Sequence, residues 1–404
     1  MNKPLNIVYF NYMQDLYGSS IGSTIKAERL LTCLEQSGNH IRQYWRYRDY
    51  HIPAGSGMTQ PKISGIKPLL RRLLYTPREV LRNLVELFKE YRFLRQDWPD
   101  LVIVRIDAYR YSAALLCWVL RIPLVLEADG ANSYEWLTFN NKDGNIWKSW
   151  LLCMEHFCFR VADGVFVQSN VSRDYYSELY PRQAEKIIVI TNGADIRPDV
   201  DTSARQELDI PADAVICGFV GSMHYWHNTG LLIDMLREVM PMLPDFYMVL
   251  VGSGGPMADS LREQCNSQDW KDRVRFTGYV PHDQTHRYMN IMDITLAPYG
   301  KSTLFYYSPV KIFEYMAQGR AVISTRVGQI AELITDHENG IFFDPDKPGD
   351  LTNKVIELAK DKELRTRLGA QARDSIAGEH TWAHKARQLE ALCRSIMDKK
   401  RGNG

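Results

Sequence analysis

The stretch Val215-Ile216-Cys217-Gly218-Phe219-Val220-Gly221-Ser222 reads as a strand that stops on a glycine turn. It is apolar throughout, without the polar alternation of a half-exposed strand, so both faces are expected to be covered. Helical spacing follows over 230–239, and 247–251 is a second apolar run ending in Gly252-Ser253-Gly254-Gly255. Strand, glycine turn, helix and strand make the repeating unit of a parallel sheet. Short apolar runs at 274–276, 294–297, 321–324 and 341–343, with helical spacing over 309–318 and 351–360, extend that sheet.

The same grammar lies upstream. Residues 5–10 form a short apolar run, followed by a loop with Gly18, Ser19, Ser20, Gly22 and Ser23 and by helical spacing over 25–36. Runs at 101–106, 124–127, 164–169 and 187–190, with a helix over 113–120, supply a first sheet. Asn192-Gly193-Ala194-Asp195 closes it with a turn, and the Pro- and Asp-rich stretch that follows has no periodicity. The expected architecture is therefore α/β, with two Rossmann-like domains in tandem over 1–196 and 213–375, a linker at 197–212, and a C-terminal helix over 376–404 packing back on the first domain. Residues 364–397 read as helical with a break near Gly378. Ligands of such sheets bind outside the carboxyl ends of the strands, so the working site is expected in the cleft between the domains.

Composition narrows the function. The chain has 404 residues, beyond the ~250–300 at which one core stops growing. With 49 Lys+Arg against 48 Asp+Glu there is no global positive field to hold a nucleic-acid backbone. The seven cysteines are odd in number and scattered, which argues against a disulfide framework and for a reducing, cytoplasmic compartment. No run reaches the ~18 apolar residues of a membrane span, and the first residues lack the pattern of a signal peptide. Cys153, His156 and Cys158 sit among Leu151, Leu152, Met154, Phe157 and Phe159, so they read as one face of a buried helix rather than a zinc site. A Walker-type GxxxxGK[ST] is missing, and no acidic residue follows the Gly252 run as a dinucleotide fingerprint requires, which weakens ATPase and dehydrogenase readings.

The chemistry concentrates in Phe305-Tyr306-Tyr307-Ser308-Pro309-Val310-Lys311-Ile312-Phe313-Glu314-Tyr315-Met316-Ala317-Gln318-Gly319. This stretch resembles the donor-binding signature of the retaining glycosyltransferases of family 4. The resemblance extends to Gly218 to Ser222, Val249 to Gly254, Phe276 to Val280, Val327 to Ile334 and, in the first half, Ala162 to Ser169 and Thr191 to Asp195. It implies a GT-B fold and transfer of a sugar from a UDP- or GDP-sugar to an acceptor hydroxyl, with no metal and no further cofactor. Bacterial polysaccharide or glycolipid assembly is the setting it implies.

Physical reasoning fits the implied roles. A carboxylate can accept from both vicinal hydroxyls of a ribose, the part given to Glu314. Ser308, Pro309, Val310 and Lys311 open a helix whose first N–H groups can meet the diphosphate or sugar, with Tyr307 just ahead of them. The Lys311 ammonium would neutralise leaving-group charge. Tyr279 and Val280 would flank the base, and Gly252 and Gly22 would let backbone approach the phosphates. Asp129, where many relatives place a histidine, is the candidate for acceptor activation or positioning.

Three expected charges are missing. Tyr306 stands where the motif has a second glutamate, and Ser222 and His227 stand where an arginine and a lysine are usual. His227 or His224 would partly replace the lost cation. These departures leave two other readings open: a nucleotide-sugar-binding protein without transferase activity, or a sugar-nucleotide epimerase of the same fold. Residues 65–98 interleave arginines and lysines with leucines, an amphipathic pattern that would hold the first domain against an anionic membrane surface near a lipid-linked acceptor. An ordinary helix pair with solvated arginines has the same pattern. Tyr44, Trp45, Tyr47 and Tyr50, with Arg42, Arg46 and Arg48, would line an acceptor groove or form a strand edge and loop.

Overall fold

The computed structural model describes residues 3–12, 21–45, 74–139, 147–197, 201–223, 228, 230–252, 257–300 and 304–402. The chain forms two compact units, one made of 1–191 and 382–404, the other of 192–381.

The first unit runs β1 (Asn6–Asn11), α1 (Ile21–Gln36), β2 (His40–Trp45), α2 (Tyr75–Leu94) and β3 (Leu101–Arg105). It continues through α3 (Ser112–Leu120), β4 (Leu124–Ala128), α4 (Asn132–Phe139), α5 (Lys148–Val161), β5 (Gly164–Val167), α6 (Asn170–Leu179) and β6 (Ile187–Val189). The strands pair in parallel in the order β2-β1-β3-β4-β5-β6. Strands β3, β4 and β5 are buried at every position, as their unbroken apolar runs require. Strand β2 is the exception, an edge strand whose polar side chains His40, Arg42 and Gln43 stay partly in water.

The second unit opens with α7 (Ser203–Glu207), inside the stretch expected to be an aperiodic linker. Then come β7 (Val215–Val220), α8 (Gly230–Met242), β8 (Phe246–Val251), α9 (Ala258–Asn266), β9 (Val274–Gly278), α10 (His282–Met289) and β10 (Ile294–Ala297). The unit closes with α11 (Val310–Ala317), β11 (Ala321–Thr325), α12 (Ile330–Leu333), β12 (Ile341–Phe343), α13 (Asp350–Lys360) and α14 (Lys362–Glu379). Its six strands are also parallel, in the order β12-β11-β10-β7-β8-β9.

The last helix, α15 (Trp382–Gly402), belongs to the first unit. Its Ala386, Leu389, Cys393 and Ile396 pack with Leu30 and Leu34 of α1 on one face of the sheet. The opposite face carries the core around Phe159, Tyr176 and Val104. The break near the end of the chain falls at His380 and Thr381, and Gly378 lies inside α14.

Both strand orders reverse once, between β1 and β3 and between β7 and β10. The connections leave a crevice at the carboxyl ends of the strands at such a reversal, which is where α/β sheets bind ligands. In the second unit the turn after β7 and the segment after β10 meet there. In the first unit the reversal lies at the ends of β1 and β3.

Candidate active site

Three glycines with positive φ end three neighbouring strands of the second unit: Gly221 after β7, Gly252 after β8 and Gly278 closing the edge strand β9. They lock onto one another, Gly221 N donating to Val251 O at 2.9 Å and Gly252 N to Gly278 O at 3.0 Å. Side chains do not fit. A Cβ on Gly252, at φ 123°, would lie 2.5 Å from the Gly221 carbonyl oxygen, and one on Gly221 would lie 2.8 Å from Lys311 Nζ. This floor is therefore bare backbone, with an ammonium group against it.

That ammonium comes from α11. Pro309 sets the helix start in an extended conformation, and Val310 and Lys311 form its first turn. Ser308 is buried, and its hydroxyl accepts from Asn192 N at 3.1 Å while its carbonyl accepts from the Asn192 amide. The approach to the helix is thus pinned. Lys311 Nζ lies 4.2 Å from the centre of the Phe219 ring, and burial lowers its pKa to about 7, with the Glu314 carboxylate opposing that fall. One turn on, Glu314 Oε1 meets His282 Nε2 at 2.5 Å, from the first turn of α10. Tyr279 is exposed and Val280 half-buried just ahead of that helix.

Tyr306, in the place of a second glutamate, is buried, and its hydroxyl donates to that of Tyr307 at 2.9 Å, the two rings 4.2 Å apart. Tyr307 is partly exposed at its outer edge. Ser222 is half-buried beside Gly221. His224 and His227 lie outside the described residues, as do Ser253, Gly254 and Gly255.

The first unit presents a different surface. Asp129 follows β4, and its two oxygens accept from Lys26 of α1 and Arg105 at the end of β3. Behind them Glu127, fully buried, meets Lys26 Nζ at 3.0 Å and accepts from the Tyr9 hydroxyl at 2.7 Å. Burial pushes the Glu127 carboxyl up, but Lys26 and Arg105 pull it further down, to a net value below the ordinary carboxylate range. Burial brings Lys26 down to about 8 against the pull of Glu127. Asp129 is the outermost carboxylate of this group, with 12% of its side chain exposed. Its oxygens are held by two cations, an arrangement that orients a neighbouring hydroxyl better than it removes a proton.

Gly22 is a correction of placement. It was expected in a loop, but α1 begins at Ile21, so Gly22 is an exposed first-turn residue with nothing within 4 Å of where a Cβ would be. Gly18 and the aromatic and basic residues 46–50 lie outside the described residues. His156 stacks on Tyr180 with ring centres 5.1 Å apart, while Cys153 is exposed and Cys158 buried. Sequence reasoning missed His282, Lys26, Arg105 and Glu127. Only Glu127 and Arg105, charges set within apolar strand runs, carried a signal.

With two parallel six-stranded α/β units and a glycine-floored strand end, the molecule has the GT-B fold of glycosyltransferases. Family models match both halves: "Glycosyltransferase Family 4" over residues 28–197 and "Glycosyl transferases group 1" over 200–375. The chain belongs to this glycosyltransferase family. Among curated proteins it is 27% identical over 251 residues to the D-inositol 3-phosphate glycosyltransferase of Corynebacterium kroppenstedtii, covering 59% of this chain and 54% of that one. It is 23% identical to the lipopolysaccharide 1,2-N-acetylglucosaminetransferase of Salmonella typhimurium, covering 58% of this chain and 63% of that one. The chain thus spans about half the length of the curated relatives it matches, 54% of the one from C. kroppenstedtii. Among solved structures, Anabaena HepE in complex with UDP superposes with a TM-score of 0.66 at 18% identity, over 97% of this chain and all (100%) of that one.

Proposed function

We propose that the protein moves a sugar from a nucleoside diphosphate, a UDP- or GDP-sugar, to an acceptor hydroxyl with retention of configuration. The observation that carries this is the grouping of Glu314, Lys311 and the bare backbone of Gly221 and Gly252 at the strand reversal of the second unit. In this reading Glu314 takes the ribose hydroxyls, Tyr279 and Val280 border the base, and Ser222 and Tyr307 border the phosphates and sugar. The first turn of α11, from Ser308 through Pro309 and Val310, turns its positive end toward the diphosphate. Breaking the glycosidic bond puts negative charge on the departing phosphate. Lys311 and the backbone amides, rather than a metal ion, supply the countercharge.

The acceptor is read as a glycan or a lipid-linked hydroxyl, oriented by Asp129 of the first unit. The cytoplasmic face of a bacterial plasma membrane is the setting, with residues 65–98 against anionic lipid. HepE was solved with UDP and glucose, and the relative from Salmonella is named for lipopolysaccharide; both support a nucleotide donor and a glycan-type acceptor here. The substitution of Tyr306 for a glutamate favours one second reading, a protein that binds the nucleotide sugar without turning it over.

Calorimetric titration with UDP and GDP, beside a donor-consumption assay with cell extract as acceptor, tests both readings. Glu314→Ala is expected to weaken nucleotide binding about 10- to 100-fold, the worth of charge-assisted hydrogen bonds. An unchanged affinity removes the ribose assignment. Binding without consumption selects the silent protein, and consumption without any acceptor selects an epimerase.

A further inference from the structure

Helix α2 is built with its polarity reversed. The side it turns to the protein carries Glu79, Asn83, Glu86 and Glu90, all buried. The side it turns to water carries Leu81, Leu84, Val85 and Phe88, each more than half exposed at 57% to 64%. Spacings of three, four and seven residues put those four on one stripe. A helix that only covers a sheet would point them inward.

The inward side is satisfied by polar bonds instead. Glu79 takes Arg110, and Asn83 donates to Tyr109 O at 2.8 Å and accepts from Tyr111 N at 3.1 Å. Glu86 accepts from the Tyr44 hydroxyl at 3.1 Å, and Glu90 from Tyr12 and Ser112, both at 2.7 Å. These bonds fix the rotation of the helix about its axis, so the apolar stripe is held outward.

Cations flank the stripe: Arg78, Arg82, Lys89 and Arg92 are exposed on α2, and Arg95 is exposed just past its end. Neighbouring helices add large exposed side chains, Trp118 and Val119 on α3, which packs on α2, and Trp150 on α5, which packs on α3. Exposed tryptophan, a contiguous apolar stripe and a rim of arginine are what the interface of a bilayer accepts: rings and aliphatic chains at the acyl boundary, guanidinium groups among phosphates. A second copy of the chain fits worse, because a two-fold contact would bring the same cations face to face.

We infer that the outward face of α2, with Trp118 and Trp150 beside it, seats the first unit on an anionic lipid bilayer. The helix lies along the surface; among the described residues no helix is long and apolar enough to cross a membrane. This deepens the reading of a lipid-linked acceptor given above and rests on it for its purpose, since it would keep the acceptor-binding unit at the lipid headgroups.

The test is co-sedimentation of the full chain with vesicles, without nucleotide, so that its outcome is independent of donor binding. Vesicles of phosphatidylcholine with 30% phosphatidylglycerol are expected to bind at least tenfold more tightly than phosphatidylcholine alone, the difference shrinking as salt is raised. The double variant L84E/F88E is expected to lose at least tenfold in vesicle affinity, and K89E/R92E to lose the preference for anionic lipid, both with unchanged melting temperature and nucleotide affinity. Equal binding of both vesicle types, or full binding by L84E/F88E, overturns the assignment. So does a concentration-dependent dimer in sedimentation velocity that L84E/F88E abolishes, which makes the face a contact between copies.

Discussion

The strand ends of the two units solve the same geometric problem with opposite materials. In the second unit the ends of β7, β8 and β9 are bare glycine backbone, with one ammonium from Lys311 set against it. In the first, the ends of β3 and β4 are filled by two cations, Lys26 and Arg105, and two carboxylates, Glu127 and Asp129. Glycine floors leave volume and amide dipoles for a ligand that brings its own charge. A neutralised group of buried ions leaves a rigid polar surface that has already settled its charges internally. Under the proposed function, the first kind of end would be completed by an anion and the second would hold a neutral hydroxyl in place.

If that contrast is right, the first unit should be the more sensitive to loss of a charge. Lys26→Met would leave Glu127 buried and Asp129 with a single cation. Breaking a buried pair by removing one partner costs roughly 3–5 kcal/mol, because the remaining charge has lost its compensation. Urea denaturation of the variant is expected to show a loss of that size, with Glu127→Gln added on top restoring more than half of it. A loss below about 1 kcal/mol, the range of solvated surface pairs, would mean that water reaches the group and that the contrast is false.

The second unit should instead be sensitive to a single methyl group. Gly252→Ala puts a Cβ 2.5 Å from the Gly221 carbonyl oxygen at a φ of 123°, a combination expected to cost on the order of 3 kcal/mol. Gly22→Ala is the control, since among the described residues nothing lies within 4 Å of where its Cβ would be in the first turn of α1. There alanine should raise stability by up to about 1 kcal/mol, because it loses less backbone entropy on folding. Thermal unfolding of the pair checks both signs, and a destabilised Gly22→Ala would show that the space beside it is occupied.

The two sheets were legible because strands covered on both faces cannot alternate, and β7, β8, β3 and β4 read as unbroken apolar runs ended by glycine or a charge. Glu314 was legible through the resemblance of the stretch around Ser308, Pro309 and Lys311 to the family's donor-binding signature. Its partner His282 was not, since it lies 32 residues away in a polar stretch with little periodicity and only the fold joins them. The ion group failed for the same reason: Lys26, Arg105 and Asp129 belong to α1, β3 and the turn after β4, more than 100 residues apart at the extremes. Helix α2 was legible as amphipathic, but a sequence records that a helix has two faces and not which one is turned inward. Its direction is set by Arg110, Tyr44, Tyr12 and Ser112, none of them on the helix. The polar edge strand β2 shows the converse limit, because without a second covered face its pattern left a strand edge and an acceptor groove equally open.

The finest test of the contrast is a proton. Burial lowers Lys311 to about 7 and Lys26 to about 8. At pH 8 the free protein therefore holds Lys311 mostly neutral. A bound diphosphate favours the ammonium form and raises that pKa, so the complex carries a proton that the free protein lacks. UDP binding at pH 8 is expected to take up close to one proton, read from calorimetry in buffers of different ionisation enthalpy. Affinity should fall as pH rises from 7 toward 9, approaching a factor of about ten per unit, the limit for one linked proton. Lys311→Met should abolish both the uptake and the slope. Lys26 should contribute to neither, because its countercharge is Glu127 in the free and bound protein alike. Uptake that survives in Lys311→Met would move the linked group elsewhere and take the ammonium away from the diphosphate.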